Sequence, residues 1–280
     1  MLNPLLRKEF RQRMRTNRAP VVITAYIVCM ALLTFFLLYE NVQGQLLALP
    51  LLPVRSEQVF VTLSLLQMTV VAFMTPAFAA GSMSGERERR TLAVLLTTPL
   101  SPVRILMGKI LSSSALLSLL LVSALPLYSM VFLFGGAVPQ EVVSVFAFQI
   151  FTIVLIATLS VLWSTIALRS GWSTVLAYAT VAWMVMVTGA LGYGLHLVAE
   201  RDQMEFFAAR WSEYFLALNP LWIESSFENY VTAPRFAWVW FVGFYSLLSV
   251  ILFIPSVWRL RPQTFRKLPW IGRRSERDFQ

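Results

Sequence analysis

Charged side chains make up only 13% of the 280 residues, so their clusters stand out. The densest is Glu86-Arg87-Glu88-Arg89-Arg90-Thr91. It leads into the apolar run Leu92-Ala93-Val94-Leu95-Leu96 and then into Thr98-Pro99-Leu100-Ser101-Pro102. A segment that alternates charge and then displays Leu92, Leu95 and Leu96 is suited to being covered, either by the chain's own N-terminal stretch or by another subunit. That is docking chemistry. Catalytic chemistry is poorly supplied. Cys29 is the single cysteine and His196 the single histidine, which excludes an intrachain disulfide, a Cys-cluster metal site and a multi-His ligand set. There is no His-Glu-x-x-His and no pair of Asp within an apolar run. His196 reads as an interfacial residue at the end of such a run rather than as the base of a serine protease. The phosphate cradle Gly-x-x-x-x-Gly-Lys-[Ser/Thr] is missing as well, because Gly108-Lys109 has Val103 where the first glycine is needed. A lipid-modifying transferase would have to draw its metal ligands from Glu200, Asp202, Glu205, Glu213, Glu224 and Glu228, which are scattered along 196–235.

The elements that must carry these residues are apolar. Hydrophobic residues reach 58% and the mean hydropathy is +0.68, whereas soluble domains hold about 45–50% apolar and about 25% charged residues. Disorder is excluded by 21 Phe and 9 Trp that must be kept from water. A hydrocarbon core about 30 Å thick requires about 20 apolar residues per helix. Six stretches qualify: Pro20–Tyr39, Val59–Ala80, Ile110–Phe134, Val142–Leu168, Ser173–Leu195 and Phe236–Trp258. These are continuous runs, not the short alternating segments of a barrel. The expectation is an all-α membrane protein, one six-span bundle over 1–280, with kinks at Pro76, Pro126 and Pro255 that neighbouring helices tolerate.

Sidedness follows from charge. Nineteen of the 23 Lys and Arg fall in 1–19, 81–109, 169–172 and 259–280, and four fall in the alternate segments. The positive-inside rule then places both termini in the cytoplasm. Basic residues that flank apolar runs write membrane topology, not nucleic-acid binding. No ionisable residue lies within the six runs, whereas ion-driven carriers need one as a coupling site. Gln67, Gln149, Thr152, Thr158, Thr165, Tyr178 and Thr188 read mostly as interhelical glue.

Two segments outside the runs have structure of their own. Asn3-Pro4 starts a helix with Leu2, Leu5, Leu6, Phe10 and Met14 on one side and most of its Arg and Lys on the other, suited to lying on an anionic inner surface. In 196–235, Phe207, Trp211, Phe215 and Leu218 recur at helical spacing, and Asn219-Pro220-Leu221 breaks the pattern before Trp222, Ile223 and Phe227. Two short helices dipping into the outer interface are expected there. Ser101-Pro102 caps and starts a helix that runs into the third span.

The string from Glu86 to Lys109 resembles the loop between the second and third spans in permease subunits of ABC transporters of the type-2 exporter class. Members commonly show Glu-Arg-Glu, a Gly-Thr-Leu-like triplet, an apolar helix, a Thr-Pro-Leu-Ser-Pro turn and a Gly-Lys. This chain departs at Arg90, where glycine is frequent. Asn219-Pro220-Leu221 resembles the family's break between the fifth and sixth spans. The resemblance implies a permease subunit, without an ATPase site or cofactor of its own, that exports a substrate across the plasma membrane. It implies a second permease subunit and a cytoplasmic ATPase subunit that holds ATP and Mg. It also makes Glu86, Arg87, Glu88, Arg89, Arg90, Thr91, Leu92, Leu95 and Leu96 the coupling helix on which the ATPase pushes. A membrane anchor that recruits an ATPase without transporting, or an intramembrane enzyme, are the alternatives from other classes.

Overall fold

The computed structural model describes residues 18–43, 53–92, 101–133, 138–201, 205–231, 233–234 and 236–260. The expected N-terminal interfacial helix, and Leu95 and Leu96 of the coupling helix, lie outside the described residues. Within them every regular element is helical: α1 Arg18–Gln43, α2 Pro53–Ala79, α3 Ser84–Glu88, α4 Pro102–Ser123, α5 Leu125–Leu133, α6 Pro139–Ile166, α7 Ser170–Ala182, a π turn Trp183–Val187, α8 Thr188–Arg201, α9 Glu205–Ala217, α10 Pro220–Phe227 and α11 Ala237–Arg259. Six helical stretches are long and apolar enough to cross a membrane.

In lipid each backbone polar group must find its partner inside the protein, which is why the apolar runs are helical over nearly all of their described length. The hydroxyls inside the spans follow the same logic. Thr152, Thr158, Thr165 and Thr188 donate to the carbonyls of Phe148, Val154, Val161 and Met184, each four residues back at 2.7–3.0 Å. They serve their own helices and not, as expected from composition, the contacts between helices. The third span is broken at Ala124 between α4 and α5. Pro126, two residues on, has no N–H to return to the carbonyl of Val122. Pro76 and Pro255 stay within α2 and α11. The fourth span ends at Ile166 and not at Leu168, because the chain turns there through Ala167 in extended geometry (φ −70°, ψ 142°).

Burial separates centre from rim. The apolar windows of α2 and α6 are 61% and 56% buried, those of α1 and α11 only 17%. α6 is the axis and packs against α2, α4, α7 and α11. The rim helices turn Leu32, Phe35, Ile254 and Trp258 outward, as lipid allows and water would not.

Candidate functional site

At one end of the bundle, α3 forms a charged clamp on the ends of its neighbours. The C-terminus of α6 leaves carbonyls without helical partners. Arg87 takes two of them, donating through Nη1 to Ala167 O at 2.6 Å and through Nη2 to Thr165 O at 3.1 Å. Arg259, the last residue of α11, donates to the third, Ile166 O. Two guanidiniums thus sit at the negative end of the α6 dipole. The next residue of α3 does the reverse. Glu88 accepts from the backbone N–H and the hydroxyl of Ser170, at 2.7 and 2.8 Å, where the free amides of α7 begin. Glu86 is ion-paired with Lys109 of α4, whose side chain is only 6% exposed. α3 is capped in return. Ser164 Oγ of α6 accepts from Met83 N and Ser84 N at 3.0 Å each, and Ser173 of α7 donates to Ala80 O at 2.5 Å.

The end of α3 explains the one departure in its motif. Arg90 has φ 58°, the left-handed region. Its N–H bonds Arg87 O at 3.1 Å, and Thr91 N bonds Glu86 O at 3.0 Å. This is the pair of bonds that closes a helix when the residue just past its cap is left-handed, a place that favours glycine. Arg90 makes the turn without it. Beyond the turn, Leu92 is 3% exposed and packs with Met83, Ile105, Leu106, Val161 and Leu260 of the same chain. From sequence, Leu92 is expected to be covered by the N-terminal stretch or by another subunit; among the described residues it is the chain's own spans that cover it. Arg89, Arg90 and Thr91 stay exposed.

Some 24 Å away along α2 (Ala80 back to Ser64, at about 1.5 Å per residue), α10 carries two acids into the bundle. Glu224 and Glu228, one helical turn apart, are 0% and 1% exposed. Gln149 Nε2 of α6 donates to Glu224 Oε1 at 2.6 Å, and Ser64 Oγ of α2 donates to Glu228 Oε1. The second oxygen of each carboxylate has no partner, nor have Gln149 Oε1 and the hydroxyl of Tyr128. Burial pushes Glu228 up to about 8 against the opposing hydrogen bond from Ser64, and the charge of Glu141 adds to the rise. Burial, then the charge of Glu228, raises Glu224 well above the usual carboxylate range.

The pair α9–α10 is held against the bundle by side chains on either side of the Asn219-Pro220 break. Asn219 Oδ1 accepts from Leu221 N at 2.9 Å, capping α10, and its Nδ2 donates to Val185 O at 2.9 Å inside the π turn. A widened turn leaves carbonyls imperfectly paired, and Asn219 satisfies one. A Cβ on Gly189 would lie 2.7 Å from Asn219 Nδ2, and one on Gly192 2.6 Å from Leu216 Cγ, so both glycines permit a close approach of α8. Tyr245 of α11 donates to Leu218 O at 3.0 Å.

A family model described as ABC-2 family transporter protein matches residues 4–222. The chain belongs to that family. No curated protein matches it significantly. Membership makes it the membrane subunit of an ABC transporter, a multi-pass protein of a family that normally works with an ABC ATPase.

For this ABC-2 chain the sequence located the charged segment and the Asn219-Pro220-Leu221 break. It did not foresee that Glu86, Arg87 and Glu88 would bind their own helices. It also treated the acids of 196–235 as scattered and the spans as free of ionisable groups. Lys109 is buried within α4, and the fold brings Glu224 and Glu228 to one buried spot. The available signal was the i, i+4 spacing of Glu224 and Glu228 beside the apolar Ile223 and Phe227, with Gln149 and Gln67 unexplained in spans.

Proposed function

We propose that this chain is the permease subunit of an ATP-driven exporter in the plasma membrane, with both termini and α3 in the cytoplasm and α9–α10 outside. The sidedness rests on the nineteen-to-four distribution of Lys and Arg. A second permease subunit completes the path, and a separate ATPase subunit holds ATP and Mg. The observation that carries the reading is the clamp. α3 is bonded to α4, α6 and α7, and α11 joins it at the same helix end. A push on the exposed Arg89-Arg90-Thr91 must therefore tilt four spans together, since helices transmit force as rigid bodies and the polar ends leave little slack. Arg89, Arg90 and Thr91 present the docking surface, and Glu86, Arg87 and Glu88 are the linkage behind it.

These two roles separate under mutation. With the partner ATPase co-expressed and the complex placed in vesicles, Arg89→Ala with Arg90→Ala is expected to release the ATPase, because rim charges set docking. Glu86→Ala with Glu88→Ala is expected to retain the ATPase and its hydrolysis while export falls. Retention and export both normal in the second variant would end the linkage claim. ATP hydrolysis without any flux in the wild-type complex would leave a recruiting anchor and end the exporter claim.

A further inference from the structure

We propose that Glu224 and Glu228 form a proton-binding site whose occupancy holds the re-entrant helix α10 in the bundle. The geometry is that of a site and not of a solvated acidic patch. Four elements converge on it: α2 with Ser64, α5 with Tyr128, α6 with Gln149, and α10 with its C-terminal turn. Aromatic rings wall it off, with Phe60, Tyr128 and Phe146 in successive edge contacts and Phe148 against Phe227. The neighbours that act on the acids are uncharged donors and other acids. Gln149 and Ser64 give hydrogen bonds, and Glu141 adds a third negative group near Glu228. From the remaining elements, Tyr128 of α5 faces the pair with an unpartnered hydroxyl, Tyr26 of α1 lies near Tyr128, and Tyr245 of α11 is committed to Leu218 O.

The unpartnered oxygens point to what is bound. Glu224 Oε2, Glu228 Oε2, Gln149 Oε1 and Tyr128 Oη are all enclosed and all without a donor or cation. Two carboxylates that near to each other in a dry site cannot both stay ionised, and one proton taken up by either relieves the repulsion. The step is acid–base only: a proton adds to one carboxylate oxygen, the resulting O–H is free to donate to an orphaned acceptor, and no other bond changes. The two groups then titrate as a unit. A hard metal ion fits less well. It wants six or more oxygens, and among the described residues no group of three or more His, Cys, Asp or Glu is arranged to hold a metal ion, Glu141 acting on the pair through its charge alone. Loss of the proton leaves two buried anions on one turn, and outward displacement of α10 is their relief.

The test reads protonation directly and stands apart from the transport reading. The full chain in neutral-lipid vesicles, with chelator and in metal-free buffer, is titrated from pH 5 to 9.5 by infrared difference spectroscopy. The expected result is a protonated-carboxyl carbonyl band that survives above pH 6, with a component that is lost near 8. Glu228→Gln and Glu224→Gln should each alter it, and the double variant should abolish it. Carboxyl signals that are all gone by pH 6 in the wild type would overturn the proposal, whatever the variants do. Loss of the band on adding sodium or calcium at a fixed pH of 6.5 would assign the site to a metal cation instead and overturn it equally.

Discussion

The two ends of this bundle bury charge in opposite ways. At the α3 end, charges are matched to partners that need them: Arg87 and Arg259 meet the bare carbonyls of α6, Glu88 meets the bare amides of α7, and Glu86 meets Lys109. At the α10 end, Glu224 and Glu228 share a pocket with each other and with neutral groups, and half their oxygens go unanswered. Helix termini are fixed partial charges that do not titrate, so the first arrangement is a permanent joint. A like-charge pair depends on its protonation state, so the second is a conditional one.

At a single fixed pH the largest effect is expected from breaking the joint. Lys109→Ala leaves Glu86 partly buried without its cation, and removing one member of a buried pair costs about 3–5 kcal/mol. Because the Glu86 side chain is 27% exposed, the low end, about 3 kcal/mol, applies. Thermal unfolding in lipid nanodiscs should show this. Glu86→Leu with Lys109→Met should restore most of it, since an apolar pair of similar volume avoids the desolvation cost. A double variant as unstable as the single one would mean that Lys109 acts through other contacts.

The second expectation concerns pH. Glu228 is raised from an ordinary carboxylate value of 4.5 to about 8, so between these values the native state binds more protons than the unfolded one. Stability should then fall as pH rises through the window from about 4.5 to about 8, at up to about 1.4 kcal/mol per pH unit. Below the window the contribution is complete, and above it the contribution is lost. Denaturation midpoints across this range should flatten in Glu228→Gln. A flat wild-type profile would remove the contrast between the two ends.

The smallest effect sharpens the likeness in how the two short helices stop. α10 ends as α3 does: Asn229 has φ 56°, its N–H bonds Ser226 O, and Tyr230 N bonds Ser225 O. Asn tolerates the left-handed region through its short polar side chain, whereas Arg does not. Arg90→Gly is therefore expected to gain about 1 kcal/mol, and Asn229→Gly no net stability, because it also gives up the hydrogen bond from Asn229 Nδ2 to Glu141. Equal gains, measured by chemical denaturation, would deny the strain at Arg90.

The sequence by itself determined the spans, because twenty apolar residues in lipid have one way to satisfy their backbone. It determined the Ser101-Pro102 start, where Ser101 Oγ accepts from Arg104 N, and the Asn219-Pro220 start, because caps are local chemistry. It marked Arg90 as a departure, and the positive φ found there is the reason glycine suits the place. What it could not reach were partners distant in the chain. Arg87 lies 80 residues from Ala167, and Ser64 lies 164 from Glu228. A carboxylate in a polar segment outside the apolar runs reads as solvated until packing removes its water. Only the tertiary structure decided that α10 folds inward, sealed by Asn219 on the π turn and Tyr245 on Leu218. Burial belongs to the assembled bundle and to no single helix, and the chemistry of Glu224 and Glu228 follows from burial.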